Sequence, residues 1–408
     1  MDAALAKRTF YIDSVGCTEN IIDGAILKNI AEASGLEFTP DPSRADLIVF
    51  NTCAFKQKQE DLCFSRLAHY EKIKKSGAEI LVCGCLTEIS PEKLRSAFRG
   101  IAFAPKNLDA FYGYLKPGQS HEIEEAHLIT RDISDSQMFG QRALVEKVYD
   151  AKAWLLRKWH IRVFPNFNVF DYIGDENTLF VRISRGCLNQ CGYCAIRFAQ
   201  GRLVSQPMEA VLGVIRQGIA DGFKKIFLVG TNTSQYGRDI GTSFRALLEN
   251  VLALEGDFRV IIHNFEPHGI EEDPEGFLRL LSSPKVLSFY FPLNSGSQPV
   301  LDRMRRGYDI GRVTATLKKL REMNKKILIR SEFIVGYPGE TWRDFRKTLS
   351  LVAGFSFNQV DLHRYSPRPN VPALALDRQV RGPVKLFRLV ILHTVVFFKT
   401  TVKKLRPI

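Results

Sequence analysis

From Thr178 to Ser366 short apolar runs alternate with helical patterns, and this rhythm restricts the fold more than any other feature of the chain. Strands are expected at Leu179–Ile183, Lys225–Val229, Phe258–Ile262, Val286–Phe291, Ile327–Ile334 and Gln359–His363. Six strand–helix units predict a parallel barrel, closed or open, with its site at the carboxyl ends of the strands. Short polar motifs collect there: Gly230-Thr231-Asn232, Glu266-Pro267-His268, Asn294-Ser295-Gly296-Ser297 and the stretch from Gly336 to Thr341. Glycine and serine after a strand usually mean only a turn. The shared placement is what marks a site.

The N-terminal part repeats the rhythm on a smaller scale. Strands are expected at Phe10–Val15, Asp46–Phe50 and Ile80–Val82, and helices at Ile21–Ala33 and Gln57–Lys74, which predicts a small parallel-sheet α/β domain. Cys17, Cys53 and either Cys83 or Cys85 follow the three strands, so thiols distant in sequence converge at one edge of the sheet. Cys63 falls inside a predicted helix and is expected to pack as a small hydrophobe. A charged stretch from His121 to Ser136 reads as a connector. Next comes a helix-like Gln141–His160, in which Trp154 and Trp159 lie among Lys152, Arg157 and Lys158. The expected organisation is an N-terminal domain over 1–125, a linker with a helix over 126–176, a core domain over 177–378 and a basic, apolar C-terminal helix over 379–408.

The chain has eight cysteines in 408 residues, all between Cys17 and Cys194. The residues before the first strand show no apolar leader, which places these thiols in a reducing compartment such as the cytoplasm, where metal or redox chemistry is their ordinary use. Cys187, Cys191 and Cys194 sit together in the loop after the first barrel strand. Soft thiolates suit an iron–sulfur cluster, and three of them leave a fourth iron open for a cofactor or substrate. The formal charge of +13 makes an anionic partner plausible, with basic concentrations at Lys152–Arg162, Arg303–Arg306 and Arg378–Arg406.

The C-x3-C-x2-C run resembles the radical S-adenosylmethionine signature, and the chain as a whole is similar to the methylthiotransferases of that superfamily. The resemblance is carried in order by Gly16–Asn20, Asn51–Ala54, Gly84-Cys85, Cys187/Cys191/Cys194, Leu228–Asn232 with Tyr236–Asp239, Pro292–Ser297, Met304–Tyr308, Phe333–Thr341 and Tyr365–Pro369. It implies that the second domain is a (βα)6-type partial TIM barrel. It also implies two [4Fe-4S] clusters and S-adenosyl-L-methionine as cofactors. By that resemblance Cys187, Cys191 and Cys194 hold the cluster that binds S-adenosylmethionine and, on reduction, cleaves it to a 5′-deoxyadenosyl radical. Cys17, Cys53 and Cys85 hold a second cluster, which carries the sulfur to be methylated and passed to the substrate radical. The glycine–cysteine context favours Cys85 over Cys83. Tyr193, Gly230, Asn232, Ser295, Arg330 and Glu332 are the implied cofactor-pocket residues.

The expected reaction is insertion of a methylthio group at an unactivated C–H carbon, with a reductant such as flavodoxin or ferredoxin. A tRNA adenosine is one expected substrate; a protein, peptide or small molecule is the alternative, as is another radical reaction that uses the second cluster differently. A zinc-holding, non-catalytic protein is the reading from a different class. Asn294 and Glu332 stand where the family usually has glutamine and aspartate. Only 30 residues follow Arg378, and they do not read as the small β-barrel with which such relatives typically end. The apolar run Leu389–Phe398 is too short to span a membrane and is expected as a helix closing the barrel domain, with a membrane-surface or partner-binding helix as the alternative.

Overall fold

The computed structural model describes residues 8–116, 129–130 and 177–405. The chain divides into two compact units, 1–176 and 177–408. The helix-like segment Gln141–His160 lies outside the described residues.

In the first unit the strands are β1 (Thr9–Ser14), β2 (Glu37–Phe38), β3 (Leu47–Thr52), β4 (Glu79–Gly84) and β5 (Ile101–Ala102). They form one sheet in the order β2-β1-β3-β4-β5, every pairing parallel. β3, Leu-Ile-Val-Phe-Asn-Thr, is buried along its whole length, as a central strand covered on both faces must be. The order reverses between β1 and β3. In doubly wound sheets the crevice at such a reversal, outside the carboxyl ends of the strands, is where ligands bind. Helix α1 (Thr18–Ala33) follows β1 and helix α2 (Gln57–Ile73) follows β3. The buried Asp13 in β1 is satisfied by α2, whose residues one turn apart both reach it: Arg66 donates at 2.8 and 2.6 Å and the Tyr70 hydroxyl at 2.7 Å. That contact fixes the helix against the strand it covers.

In the second unit β6 (Thr178–Arg182), β7 (Lys225–Val229), β8 (Arg259–Ile262), β9 (Val286–Asn294), β10 (Leu328–Val335) and β11 (Gln359–Arg364) lie side by side in sequence order, all parallel. The sheet is open, with β6 and β11 not paired to each other, so the architecture is a partial barrel of six strands. Phe227 stacks on Phe180 inside it, while Phe289 packs on Phe265, and Phe265 on Phe277 of a covering helix; all of these rings are buried. The predicted strands correspond to the observed ones, and the differences are at the ends. β9 runs on to Asn294 through an irregularity after Phe291. Two-residue strands such as β2 and β5, and the small hairpin of Ser184–Arg185 with Val204–Ser205, carry no periodicity that a sequence could reveal.

The apolar run Leu389–Phe398 belongs to a helix, Gly382–Leu405, that packs on helix Trp342–Gly354 and on β11. No described helix is long and apolar enough to cross a membrane. The helix is anchored by one buried ion pair. Arg388 (side chain 4% exposed) meets Glu340 (0%), and its guanidinium lies 4.8 Å over the Trp342 ring. Burial pushes Glu340 up, while the Gly336 N–H and Arg388 pull it back. Breaking a buried pair strands the partner's charge. Arg388→Met is therefore expected to destabilise the second unit by about 3–5 kcal/mol in urea unfolding, and the double variant R388M/E340Q to recover most of that loss.

Candidate functional site

All six cysteines of the two sequence triads lie at or beyond the carboxyl ends of strands. In the first unit Cys17 precedes α1 and is exposed, Cys53 follows β3 and is buried, and Cys85 follows β4 and is buried. Burial pushes Cys85 well up from the ordinary thiol range, and Cys53 and Cys17 add to that push. Cys83 is likewise pushed well up by burial, with Asp23 adding to it. The chain turns between them at Gly84 (φ 89°), where a β-carbon would lie 2.3 Å from the Thr52 carbonyl oxygen. Only glycine permits both that turn and that approach.

The strand ends are tied together by amides. The Asn20 side chain donates to the Val15 carbonyl at 2.6 Å and to the Thr52 carbonyl at 2.9 Å, and the Asn51 side chain donates to the Asn20 carbonyl at 2.6 Å. The Cys85 N–H reaches the Thr52 carbonyl at 2.9 Å. Cys63 is buried in α2 as expected, yet it also touches the triad: its sulfur accepts from the Cys53 N–H at 3.3 Å and its thiol lies 3.4 Å from the Cys53 carbonyl.

In the second unit the loop Gly186–Cys194 is held from three sides. The Gly186 N–H donates to Thr231 Oγ1 at 3.0 Å, the Leu188 N–H to Gln235 Oε1 at 2.8 Å, and the Gly192 N–H to the Met304 carbonyl at 2.9 Å. Cys187, Cys191 and Cys194 thereby share one neighbourhood, and Cys194 is pushed up to about 12 by burial and by Cys191 and Cys187. Hydrogen-bond donors surround the sulfurs. Cys187 Sγ accepts from the Asn189 N–H at 3.3 Å and lies 3.6 Å from the Asn232 amide nitrogen, and Cys191 Sγ accepts from Arg306 at 3.2 Å.

The other sequence-selected residues divide into two groups. Tyr193, Asn294 and Glu332 form a chain: the Tyr193 hydroxyl donates to Asn294 Oδ1 at 2.8 Å, and the Asn294 amide donates to Glu332 Oε1 at 2.9 Å. The second Glu332 oxygen accepts from the Tyr290 hydroxyl at 2.9 Å and lies 3.5 Å from His363. Arg330, two residues before Glu332 on β10, is fully buried with its guanidinium 5.4 Å from the Tyr290 ring centre. Gly230 and Ser295 shape turns instead. A β-carbon on Gly230 would lie 2.8 Å from Ser184 Oγ. The Ser295 hydroxyl, fully buried, is engaged by Thr348 at 3.3 Å and the Ser297 N–H at 3.2 Å.

Three further buried groups lie beside these and are not among the cofactor-pocket residues that the sequence singles out. Arg306 ends a basic run, yet it is only 6% exposed. Glu266 and His263, also buried, follow β8. His263 stacks on Tyr290 with ring centres 4.7 Å apart, and its Nδ1 has no hydrogen-bond partner among the described residues.

Three thiols with N–H donors around their sulfurs are a donor set that an iron–sulfur cluster fits. Among the described residues no three His, Cys, Asp or Glu side chains gather around the position of a single metal ion. A four-iron cluster takes its cysteines at separate corners and asks for a wider spacing.

Comparison with known proteins gives this arrangement its class. Residues 9–104 match the uncharacterized protein family UPF0004 and residues 181–352 the Radical SAM superfamily. The chain is 30% identical over 392 residues to a tRNA-2-methylthio-N(6)-dimethylallyladenosine synthase of Nitratiruptor, covering 94% of this chain and 82% of the relative. It is 31% identical to the same synthase of Delftia acidovorans, covering 96% and 83%. It is 29% identical to a probable threonylcarbamoyladenosine tRNA methylthiotransferase of Pyrococcus abyssi, covering 94% and 83%. Among solved structures the fold is similar to a radical S-adenosylmethionine methyltransferase, TsrM, of Kitasatospora setae, with a TM-score of 0.58 at 13% identity, covering 90% of this chain and 77% of that one.

The protein is thus a radical S-adenosylmethionine enzyme. Within that class it belongs to the methylthiotransferase family, whose cofactors are S-adenosylmethionine and two [4Fe-4S] clusters.

His263 offers a pH test of the barrel interior. Burial holds it down to about 3, with Arg330 acting in the same direction and Glu332 opposing. The unfolded chain binds this proton below about 6.5 and the folded protein does not, so stability is lost as pH falls. The expected slope from this residue is about 1.4 kcal/mol per pH unit below pH 6, measured by urea unfolding at a series of pH values. His263→Phe, which keeps the stack on Tyr290, should flatten it.

Proposed function

We propose that this enzyme adds a methylthio group to a tRNA adenosine that already carries a substituent on N6. Carrying this reading is one observation: a chain of this family presents two separate thiol triads, each beyond the carboxyl ends of its own parallel sheet. The relatives above are named for dimethylallyladenosine and threonylcarbamoyladenosine, both adenosines modified at N6. The positive charge of +13 suits an RNA substrate.

In this reading residues 1–125 carry the auxiliary cluster on Cys17, Cys53 and Cys85. Residues 177–378 carry the radical-generating cluster on Cys187, Cys191 and Cys194, and residues 379–408 close the second domain with the C-terminal helix. When bound, the cofactors supply the radical that removes hydrogen from the substrate carbon and the sulfur that replaces it. The chain's own residues position them. Thr231, Gln235 and the Met304 carbonyl fix the cysteine loop, while Asn232 donates toward Cys187 from the turn that begins at Gly230. Tyr193, Asn294 and Glu332 form a polar chain that lines the pocket for S-adenosylmethionine, with Arg330 behind it and Ser295 holding the turn after β9. The reductant is a flavodoxin or ferredoxin, and the reaction takes place in the cytoplasm.

Anaerobic reconstitution of the full chain is expected to give about eight irons, from two four-iron clusters, and reductant with S-adenosylmethionine should release 5′-deoxyadenosine. Cys187→Ala should abolish that release, and its survival would remove the role given to this triad. Methylthiolated nucleosides in bulk tRNA should fall in cells that lack the protein. Unchanged levels would exclude the tRNA substrate.

A further inference from the structure

The run Arg303–Arg306 ends in a residue that does not face water. Arg305 takes a left-handed backbone conformation (φ 57°), and the turn it makes carries Arg306 into the interior, where its side chain is 5% exposed. One arm of its guanidinium donates to Cys191 Sγ at 3.2 Å. The other donates to the Pro292 carbonyl at 3.0 Å and lies 3.3 Å from Glu266 Oε1. Glu266 is equally buried, at 6%, and its other oxygen accepts from the His268 N–H at 3.1 Å.

Burying a guanidinium and a carboxylate costs several kcal/mol per ion before their attraction is counted, and a buried pair is often no more stabilising than apolar residues of the same volume. Stability alone does not account for this pair. Its position suggests another use, because the cation rests on the sulfur of a cysteine in the loop. Among the described residues the donors to Cys187 are neutral, from Asn189 and Asn232. The charged donor is on Cys191.

We propose that Arg306, held by the Pro292 carbonyl, is the positioning residue that sets the reduction potential of the cluster on Cys187, Cys191 and Cys194. The inference rests on the assignment of that triad made above. Cluster potentials follow net charge and the hydrogen bonds to the sulfurs. Reduction adds one negative charge, and a cation beside a ligand sulfur in a poorly polarisable interior stabilises the reduced state. Glu266, with its carboxylate 3.3 Å from the other arm of the guanidinium, opposes the same charge. The two residues therefore act with opposite sign, Arg306 raising the potential and Glu266 lowering it.

The experiment is a redox titration of the reconstituted full chain, followed by electron paramagnetic resonance. The signal that changes on adding S-adenosylmethionine identifies the cluster concerned. Arg306→Gln should lower its midpoint by at least about tenfold in the reduced-to-oxidised ratio at fixed potential, which is about 59 mV for one electron. Glu266→Gln should shift it upward, and Arg306→Lys, which keeps the charge, should stay closer to the parent than Arg306→Gln. If Arg306→Gln fails to assemble, the upward shift in Glu266→Gln decides. Shifts of the same sign in both variants, or none in either, overturn the proposal. A parent protein without any signal responsive to S-adenosylmethionine would instead overturn the assignment of the triad.

Discussion

The loop from Gly186 to Cys194 has almost no regular structure of its own, so its shape depends on hydrogen bonds that other segments supply. Thr231 and Gln235, from the turn after β7, fix its first half, and the carbonyl of Met304, at the end of the short helix Gln298–Arg303 that follows β9, fixes its second half. Each of these partners stands beyond the carboxyl end of a strand. A parallel sheet brings such turns to one edge because every strand points the same way. Three thiols can share a neighbourhood only when that edge is formed, which makes the partial barrel a precondition of the site and not a platform placed beneath it.

The first unit solves the same problem with amides. Asn20 joins the end of β1 to the end of β3, and Asn51 returns the tie to α1. These bonds sit at the reversal of strand order, where carbonyls at the strand ends accept side-chain donors. The same side chains that satisfy the backbone also fix the distance between Cys17 and Cys53.

Charge inside the protein follows a similar logic of dual use. Asp13 with Arg66 locks a helix to a strand, and Glu340 with Arg388 locks the C-terminal helix to the second unit. Glu266 with Arg306 has the burial of a structural pair, but it touches a cysteine sulfur. The barrel interior continues with neutral His263 stacked on Tyr290, and with Glu332 receiving the Tyr290 hydroxyl. Polar side chains thus line the barrel interior toward the carboxyl ends of its strands.

Much of this was readable from the chain. The rhythm of short apolar runs and helical patterns placed the six barrel strands and the three principal strands of the first unit, because both are local properties of the chain. It also placed the thiols after strands. Other features depended on residues far apart in sequence. Arg306 lies 115 residues from Cys191, and nothing in Met304-Arg305-Arg306-Gly307-Tyr308 shows which arginine turns inward. Ser295 looks in sequence like a free hydroxyl until Thr348 arrives 53 residues later to engage it. The parallel architecture, the family and the loops that carry sulfur are legible in the order of residues alone. Which buried charges face those sulfurs is set by the folded protein, since that choice is made by desolvation and by partners that meet only when the sheet has formed.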